Sequence, residues 1–407
     1  MEKDSQIQIE SLQIKNYKVF KNLNISRLPS FCIIVGANGT GKSTFFDIFG
    51  FLQECLISNV NNAVQRRGGF RELLSRHCDE NDDVETKLQY RMPLNGKPRL
   101  VTYFLKIGRS AQNAKHKIIV KQERLAFKRG AYGSPYNFLD FTEGQGEAVT
   151  NEKDFDEPKK RLKKEQHKME SPDILAIKGI GQLEKFKAAS AFRSLLENWH
   201  VSDFHINMAR GSKESVGDFE HLSVSADNLQ LVAKHIYENY PDVFEKMINR
   251  MKRCVPGIGG VTTMGSPDGR LLLGFQDGSF KDPFIDKFVS DGTLKIFAYL
   301  VLLYDPKPHK LLCVEEPENQ LYPALLESLA EEFRHYSRRG GQVLVSTHSY
   351  DFLNAAKVNE VFWLEKENGQ SRLTRASDDP QIVEYMKNGD KMGWLWREGF
   401  FKGATLK

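Results

Sequence analysis

Phe31-Cys32-Ile33-Ile34-Val35-Gly36-Ala37-Asn38-Gly39-Thr40-Gly41-Lys42-Ser43-Thr44 is the stretch that decides the fold. Five consecutive apolar residues read as a strand buried on both faces of a sheet. Gly36 to Ser43 then satisfies GxxxxGK[ST], the phosphate-binding Walker A pattern. Its glycines permit a tight turn in which successive backbone N–H groups converge on phosphate oxygens. Lys42 is expected to reach the β- and γ-phosphates and the Ser43 hydroxyl to coordinate Mg²⁺. Gly36, Ala37, Asn38, Gly39, Thr40, Gly41, Lys42, Ser43 and Thr44 are therefore the expected cradle for ATP and Mg²⁺. Behind them Phe45, Phe46, Ile48, Phe49 and Leu52 recur at helical spacing, which places a buried helix after the loop.

Three distal segments extend the reading. Leu311-Leu312-Cys313-Val314 is a second buried-strand run and ends in Glu315-Glu316-Pro317-Glu318-Asn319. An acid delivered at the carboxyl end of a buried strand is the Walker B arrangement. Glu315 would then sit in the Mg²⁺ shell and Glu316 would act as general base on the attacking water. Val289-Ser290-Asp291-Gly292-Thr293-Leu294-Lys295 precedes a helical run, and Ser290 and Gly292 would offer a hydroxyl and bare amides to an anion at the helix N-terminus. Gln342-Val343-Leu344-Val345-Ser346-Thr347-His348 is a third buried strand, ending in a histidine able to meet the γ-phosphate at the sheet's carboxyl edge. Each segment alone also fits an ordinary cap or core strand; their order raises all four together.

With these motifs in that order, the chain resembles the ABC-type ATPase head of the RecF/SMC-like group. More narrowly it resembles the short, armless bacterial ATPases that carry SDGTLR, EEPENxLHP and a Trp-rich C-terminus such as Gly393-Trp394-Leu395-Trp396. The resemblance implies an α/β P-loop NTPase fold: a head of two lobes with an inserted α+β region and no long coiled coil. Ser290-Asp291-Gly292 corresponds to the signature motif, Glu318 to Pro323 to the D-loop region, and His348 to the switch histidine. Tyr322 stands where the family has a histidine. Gln65 is the candidate for a Q-loop glutamine, and Arg210 matches a family position without a derivable role. The implied catalytic set is Glu316, His348 and Lys42, with Ser43 and Glu315 as metal ligands. In such heads the signature caps nucleotide held by a second copy, so the implied partner is the chain itself, as a homodimer or higher oligomer. A separate effector, often a Toprim-like nuclease, is the further implied partner, in antiphage defence or genome maintenance. The alternative is a RecF-like DNA-binding repair ATPase without a nuclease effector.

Ser43 and Glu315 lie about 270 residues apart, far beyond the interval in a transporter ATPase subunit. The expected organisation is an N-terminal lobe over 1–127, an insertion with a helical subdomain over 128–274, a C-terminal lobe over 275–375 and an aromatic-rich tail over 376–407. Ile7, Ile9, Leu12 and Ile14 suggest one or two strands before an asparagine-rich stretch, and Leu100 to Leu105 and His116 to Phe127 alternate as antiparallel strands do. Tyr17 or Phe20 lies either near the adenine or, the favoured reading, in the core. Helical faces run over Phe186 to Trp199, Asn228 to Tyr240 and Asp242 to Met251, with no sustained heptads. The run Lys159 to Lys164 reads as a solvated face, or else as a phosphate-backbone contact. Trp394, Trp396, Phe400 and Phe401 form either a docking surface or a segment packed back on the head.

Composition bounds the rest. The 407 residues are 40% hydrophobic and 27% charged, ordinary for a folded protein with more than one compact unit. A net charge of +5 permits nucleic-acid contact without requiring it. Five scattered cysteines with no CxxC pair argue against a disulfide framework or zinc ribbon and for a reducing cytoplasm. No apolar run is long enough to span a bilayer, and a membrane partner is not expected.

Overall fold

Phe31–Val35 becomes an inner strand of a six-stranded sheet in the computed structural model. The structure describes residues 8–94, 96–110, 117–128, 134–152, 161–202, 204, 206–210, 213–214, 219–265 and 270–401. Across that sheet the order is Trp199–Ser202, Leu311–Glu315, Gln342–Thr347, Phe31–Val35, Val361–Glu367, Gln370–Arg375. The first five strands are parallel and the last is antiparallel to its neighbour. The three apolar runs singled out in the sequence are thus adjacent, and their registers align Glu315 with Ser346 and Thr347 with Val35.

Side chains alternate between two cores, as the period of a strand requires. Cys32, Ile34, Cys313 and Leu344 face one core; Phe31, Ile33, Val35, Val314, Val343 and Val345 face the other. In the first core the helix Lys42–Ile57 lies between the six-stranded sheet and a second, eight-stranded one. That position explains a helix apolar almost all round: Phe45, Phe46, Phe49, Leu52 and Cys55 are all fully buried. Asp47, Gln53 and Glu54 on it are all paired. Asp47 accepts from the Tyr17 hydroxyl at 2.7 Å and from Arg67 at 2.8 Å. Tyr17 and Phe20 are both core residues, with Tyr17 packed on Phe51 of this helix.

The eight-stranded sheet is antiparallel throughout. Its order is Phe20–Ser26, Gln8–Tyr17, Val84–Leu94, Lys97–Arg109, Ile118–Phe127, Tyr136–Thr142, Gln145–Val149, Lys164–Lys168. The boundary expected at residue 127 falls between two paired strands, and Tyr136–Thr142, Gln145–Val149 and Lys164–Lys168 extend this sheet. The Gly-, Asn- and Lys-rich composition there hides short apolar contributions from Phe138, Leu139, Phe141, Ala148 and Val149, all buried. Lys187–Glu197 then packs on the Lys42–Ile57 helix, and Trp199–Ser202 rejoins the central sheet at its edge. Of the basic run, Lys159 and Lys160 lie outside the described residues; Lys164 starts a strand and pairs with Glu147.

The opposite core is covered by helices. Asp291–Leu303, Leu326–Arg338, Leu229–Asn239 and Pro241–Cys254 pack there with a small sheet built on Ile258–Gly265 and Arg270–Asp277. The C-terminal segment folds back onto this layer: Met392, Leu395, Trp396 and Phe401 are buried, with Phe401 against Trp363, while Trp394 stays partly exposed. The longest helix among the described residues has 16 residues, so no long coiled coil is present among them, and none of these helices is long and apolar enough to cross a membrane.

Candidate nucleotide site

The carboxyl edge of the central sheet gathers the sequence motifs. Gly36 to Gly41 link the inner strand to the helix beginning at Lys42, and Gly41 takes φ 103°, a left-handed conformation that side chains resist. A Cβ at Gly41 would also press on Val19 at 2.8 Å, so glycine is required twice over. Thr40 is buried and its hydroxyl donates to the Ala37 carbonyl, which fixes the curl of the loop; Asn38 and Gly39 are exposed at its tip. Lys42 folds across the loop and donates to the Gly36 carbonyl at 2.8 Å and to Ala37 at 3.4 Å. Burial lowers its pKa, against the opposing fields of Glu316, Glu318 and Glu315. Ser43 is exposed on the first helical turn, beside half-buried Thr44.

A cleft of ≈ 860 Å³ opens at this edge, and Ser43, Glu315 and Glu316 all line it. The two residues expected to share a metal, 43 and 315, thus meet in one cavity. Carboxylate and hydroxyl oxygens on adjacent elements are the donor set that suits Mg²⁺ alongside nucleotide phosphates. Glu316 leaves the strand with φ 42°, unusual for a non-glycine residue, while its N–H donates to the Ser346 carbonyl at 2.9 Å. The sharp turn presents its carboxylate to the Asn319 amide at 3.2 Å and to His348 Nδ1 at 3.4 Å.

Glu318 had no assigned role in the sequence beyond opening the D-loop region, yet it organises this corner. Its Oε1 accepts from the Thr347 hydroxyl at 2.7 Å and from the His348 N–H at 2.9 Å. Its Oε2 is buried with no partner, an orphaned acceptor beside a site built for cations. Lys295 was read as the end of the signature segment. It also lines the cleft and donates to the Asn319 carbonyl at 2.8 Å, and burial pulls its pKa down to about 8 although the charges of Glu318 and Glu316 raise it.

Of the signature segment only Lys295 lines this cleft; Ser290 and Gly292 do not. Ser290 is exposed and caps the helix Asp291–Leu303 by accepting from the Thr293 N–H. Gly292 runs against the D-loop region: a Cβ there would stand 2.9 Å from the Gln320 carbonyl. Arg210 supplies the brace for this segment. Its guanidinium donates to the carbonyls of Asp286, Lys287 and Val289 and pairs with Asp291. Gln65 is exposed and does not line the cleft. The strand beside Leu311–Glu315 at this edge is Trp199–Ser202, and the cleft wall beyond it is made by Ser202, Phe204 and Asn207. Tyr322 is 73% exposed. Arg210, Lys295 and Glu318 act through contacts 20 to 80 residues away in sequence, so no local pattern signals them.

Comparison with known proteins agrees with this architecture. Residues 31–354 match the family described as "AAA domain, putative AbiEii toxin, Type IV TA system". Over 202 residues the chain is 22% identical to the Old nuclease of Escherichia phage P2, covering 42% of this chain and 33% of that protein. The chain thus spans a third of that relative's length. Among solved structures it is similar to an Smc head bound to the C-winged helix domain of ScpA, with a TM-score of 0.54 at 15% identity, covering 90% of this chain and 96% of that one. It is also similar to an Smc head with an extended coiled coil, bound to the C-terminal domain of ScpA derived from Pyrococcus furiosus. There the TM-score is 0.50 at 12% identity, with 94% and 100% covered. At these identities the structural likeness speaks for the fold.

Proposed function

The chain belongs to that AAA-domain family and is a P-loop ATPase of the ABC, RecF/SMC-like type, and from this premise we propose that it uses ATP to bring two copies of itself together. One observation carries the reading. Ser43, Glu315 and Glu316 line one cleft beside the loop that holds Lys42, while Ser290 and Gly292 do not line it and sit at the N-terminus of the helix Asp291–Leu303, with Ser290 exposed. A helix N-terminus carries partial positive charge and spare amides, and in this reading a second copy's nucleotide meets them there.

In this reading Gly36 to Thr44 wrap the phosphates, with the Lys42 ammonium moving from loop carbonyls to phosphate oxygens. Ser43 and Glu315 would hold Mg²⁺, which when bound offsets phosphate charge and orients the triphosphate. Glu316 accepts the proton of the attacking water, and His348, held by Glu318, contacts the γ-phosphate from the adjoining strand. Closure supplies the missing donors from the partner's Ser290 and Gly292. ATP thus favours the closed dimer, and hydrolysis releases it.

The dimer would serve as a switch subunit in antiphage defence or genome maintenance, working with a nuclease of Toprim type on a partner chain. Likeness to part of a protein named a nuclease supports that linkage. The deciding experiment is light scattering on Glu316→Gln with and without ATP·Mg²⁺. Accumulation of a nucleotide-loaded dimer is expected; a monomer at saturating ATP would remove the closure model. A pull-down with the same variant, with and without ATP, identifies the partner. Retention of DNA alone would turn the reading toward a repair ATPase without a nuclease effector.

A further inference from the structure

At the opposite, amino end of the Walker B strand four side chains form a cluster that ATP chemistry does not use. His200 lies on the edge strand Trp199–Ser202, Asp305 and His309 lie in the connection between the signature helix and Leu311–Glu315, and His221 lies ahead of the helix Leu229–Asn239. One ligand atom from each of His221, Asp305 and His309 lies within 4.8 Å of the others, a grouping found nowhere else among the described residues. The imidazoles lie in a row, tilted to one another, with ring centroids 4.8 Å apart for both His200–His309 and His221–His309.

The hydrogen bonding leaves lone pairs where a ligand set needs them. His309 Nδ1 lies 3.2 Å from the Asn198 carbonyl, which fixes a proton on that nitrogen and leaves Nε2 as a free lone pair. That Nε2 is buried without a partner, and so is Nε2 of His200, in rings only 6% and 3% exposed. Two orphaned imidazole nitrogens side by side are costly in a protein interior unless something binds them. His221 Nδ1 is held by Asp305 Oδ2 at 2.7 Å, and the other Asp305 oxygen accepts from the Lys307 N–H at 2.7 Å.

We propose that this cluster binds one divalent transition-metal ion of the Zn²⁺ type, with His221, Asp305 and His309 as ligands and His200 as the neighbouring fourth donor. Imidazole nitrogens with one carboxylate oxygen are the donor mixture such ions select. Ligand atoms about 2.1 Å from a tetrahedral ion stand about 3.4 Å from one another, so a gap as wide as 4.8 Å has to close by about 1.4 Å, which side-chain rotation of His221 and His309 can supply. The ion would clamp the connection between the signature helix and the Walker B strand to the sheet edge, far along the strand from Glu315. The proposal does not depend on the dimer model.

The test uses the full chain, stripped with EDTA and titrated with Zn²⁺ without nucleotide, with bound metal read by elemental analysis and folding by thermal melting. Binding of one equivalent at low micromolar Zn²⁺ and a raised melting temperature are expected. His221→Gln, at a half-buried position, and Asp305→Asn should each weaken binding by about 10- to 100-fold while leaving ATP affinity unchanged. No uptake by the wild type at about 100 µM Zn²⁺ would overturn the site, as would uptake equal in wild type and both variants, which would place the ion elsewhere.

Discussion

Glu318 shows how one side chain sets the geometry of others. Its carboxylate holds both the Thr347 hydroxyl and the His348 N–H, and it lies in the same corner as Glu316 and Lys295. The group does not itself line the cleft, so it is a positioning residue. Glu318→Ala should free the turn that aims His348. A displacement of about 1 Å in a catalytic group can cost on the order of 100-fold in rate. Turnover by Glu318→Ala is therefore expected to fall by about that factor with ATP affinity retained, whereas Lys42→Ala should lose ATP binding itself. Single-turnover hydrolysis beside equilibrium nucleotide binding checks both. A Glu318→Ala enzyme with wild-type turnover would show that the Thr347–His348 turn holds without it.

Among the elements, those with strong periodicity were legible in the sequence. Phe31–Val35, Leu311–Glu315 and Gln342–Thr347 are short runs whose burial on both faces leaves no polar interruption, and each ends in a motif fixed by local turn chemistry. Phe20–Ser26 was hidden because asparagine and lysine dilute it, although Phe20, Leu23 and Ile25 alternate inward. The strands over 136–168 were hidden for the same reason. What tertiary contact alone decides was not legible, and Glu123 is the sharpest case. This residue sits inside Ile118–Phe127 as a fully buried acid, accepting from the N–H groups of Ala176 and Ile177 and from the Tyr103 hydroxyl. Burial lifts its pKa from 4.5 to about 7 despite those donors. The folded protein therefore keeps a proton there that the unfolded chain has lost between pH 4.5 and 7. The associated stability is fully present below pH 4.5 and is lost as pH rises through 7. Glu123→Gln removes this titration, so the stability of wild type relative to the variant should be greater at pH 5 than at pH 8, by on the order of 2 kcal/mol. Urea melts of both proteins at the two pH values measure it. An equal gap at both would mean that Glu123 is ionised throughout.

For the whole molecule the question is whether one chain holds a complete site. The cleft supplies Ser43, carboxylates and a lysine beside the Gly36–Gly41 loop, but Ser290 and Gly292 do not line it. If two copies close face to face around a twofold axis, each P-loop is completed by the other copy's Ser290 and Gly292. Such sharing can be separated genetically. Lys42→Ala destroys the cradle and leaves the signature; Ser290→Arg blocks the signature and leaves the cradle. Each variant alone should be inactive as an ATPase. In an equimolar mixture half of the dimers pair one variant with the other, and each mixed dimer contains one intact composite site. The mixture should thus recover about a quarter of wild-type hydrolysis, provided subunits exchange and the two sites act independently. A site built within one chain gives no recovery at any mixing ratio, because no chain in the mixture has both halves. Titrating the ratio adds a second constraint: recovery should peak at equal amounts and fall symmetrically on either side, a curve that contamination of one preparation by active enzyme cannot imitate.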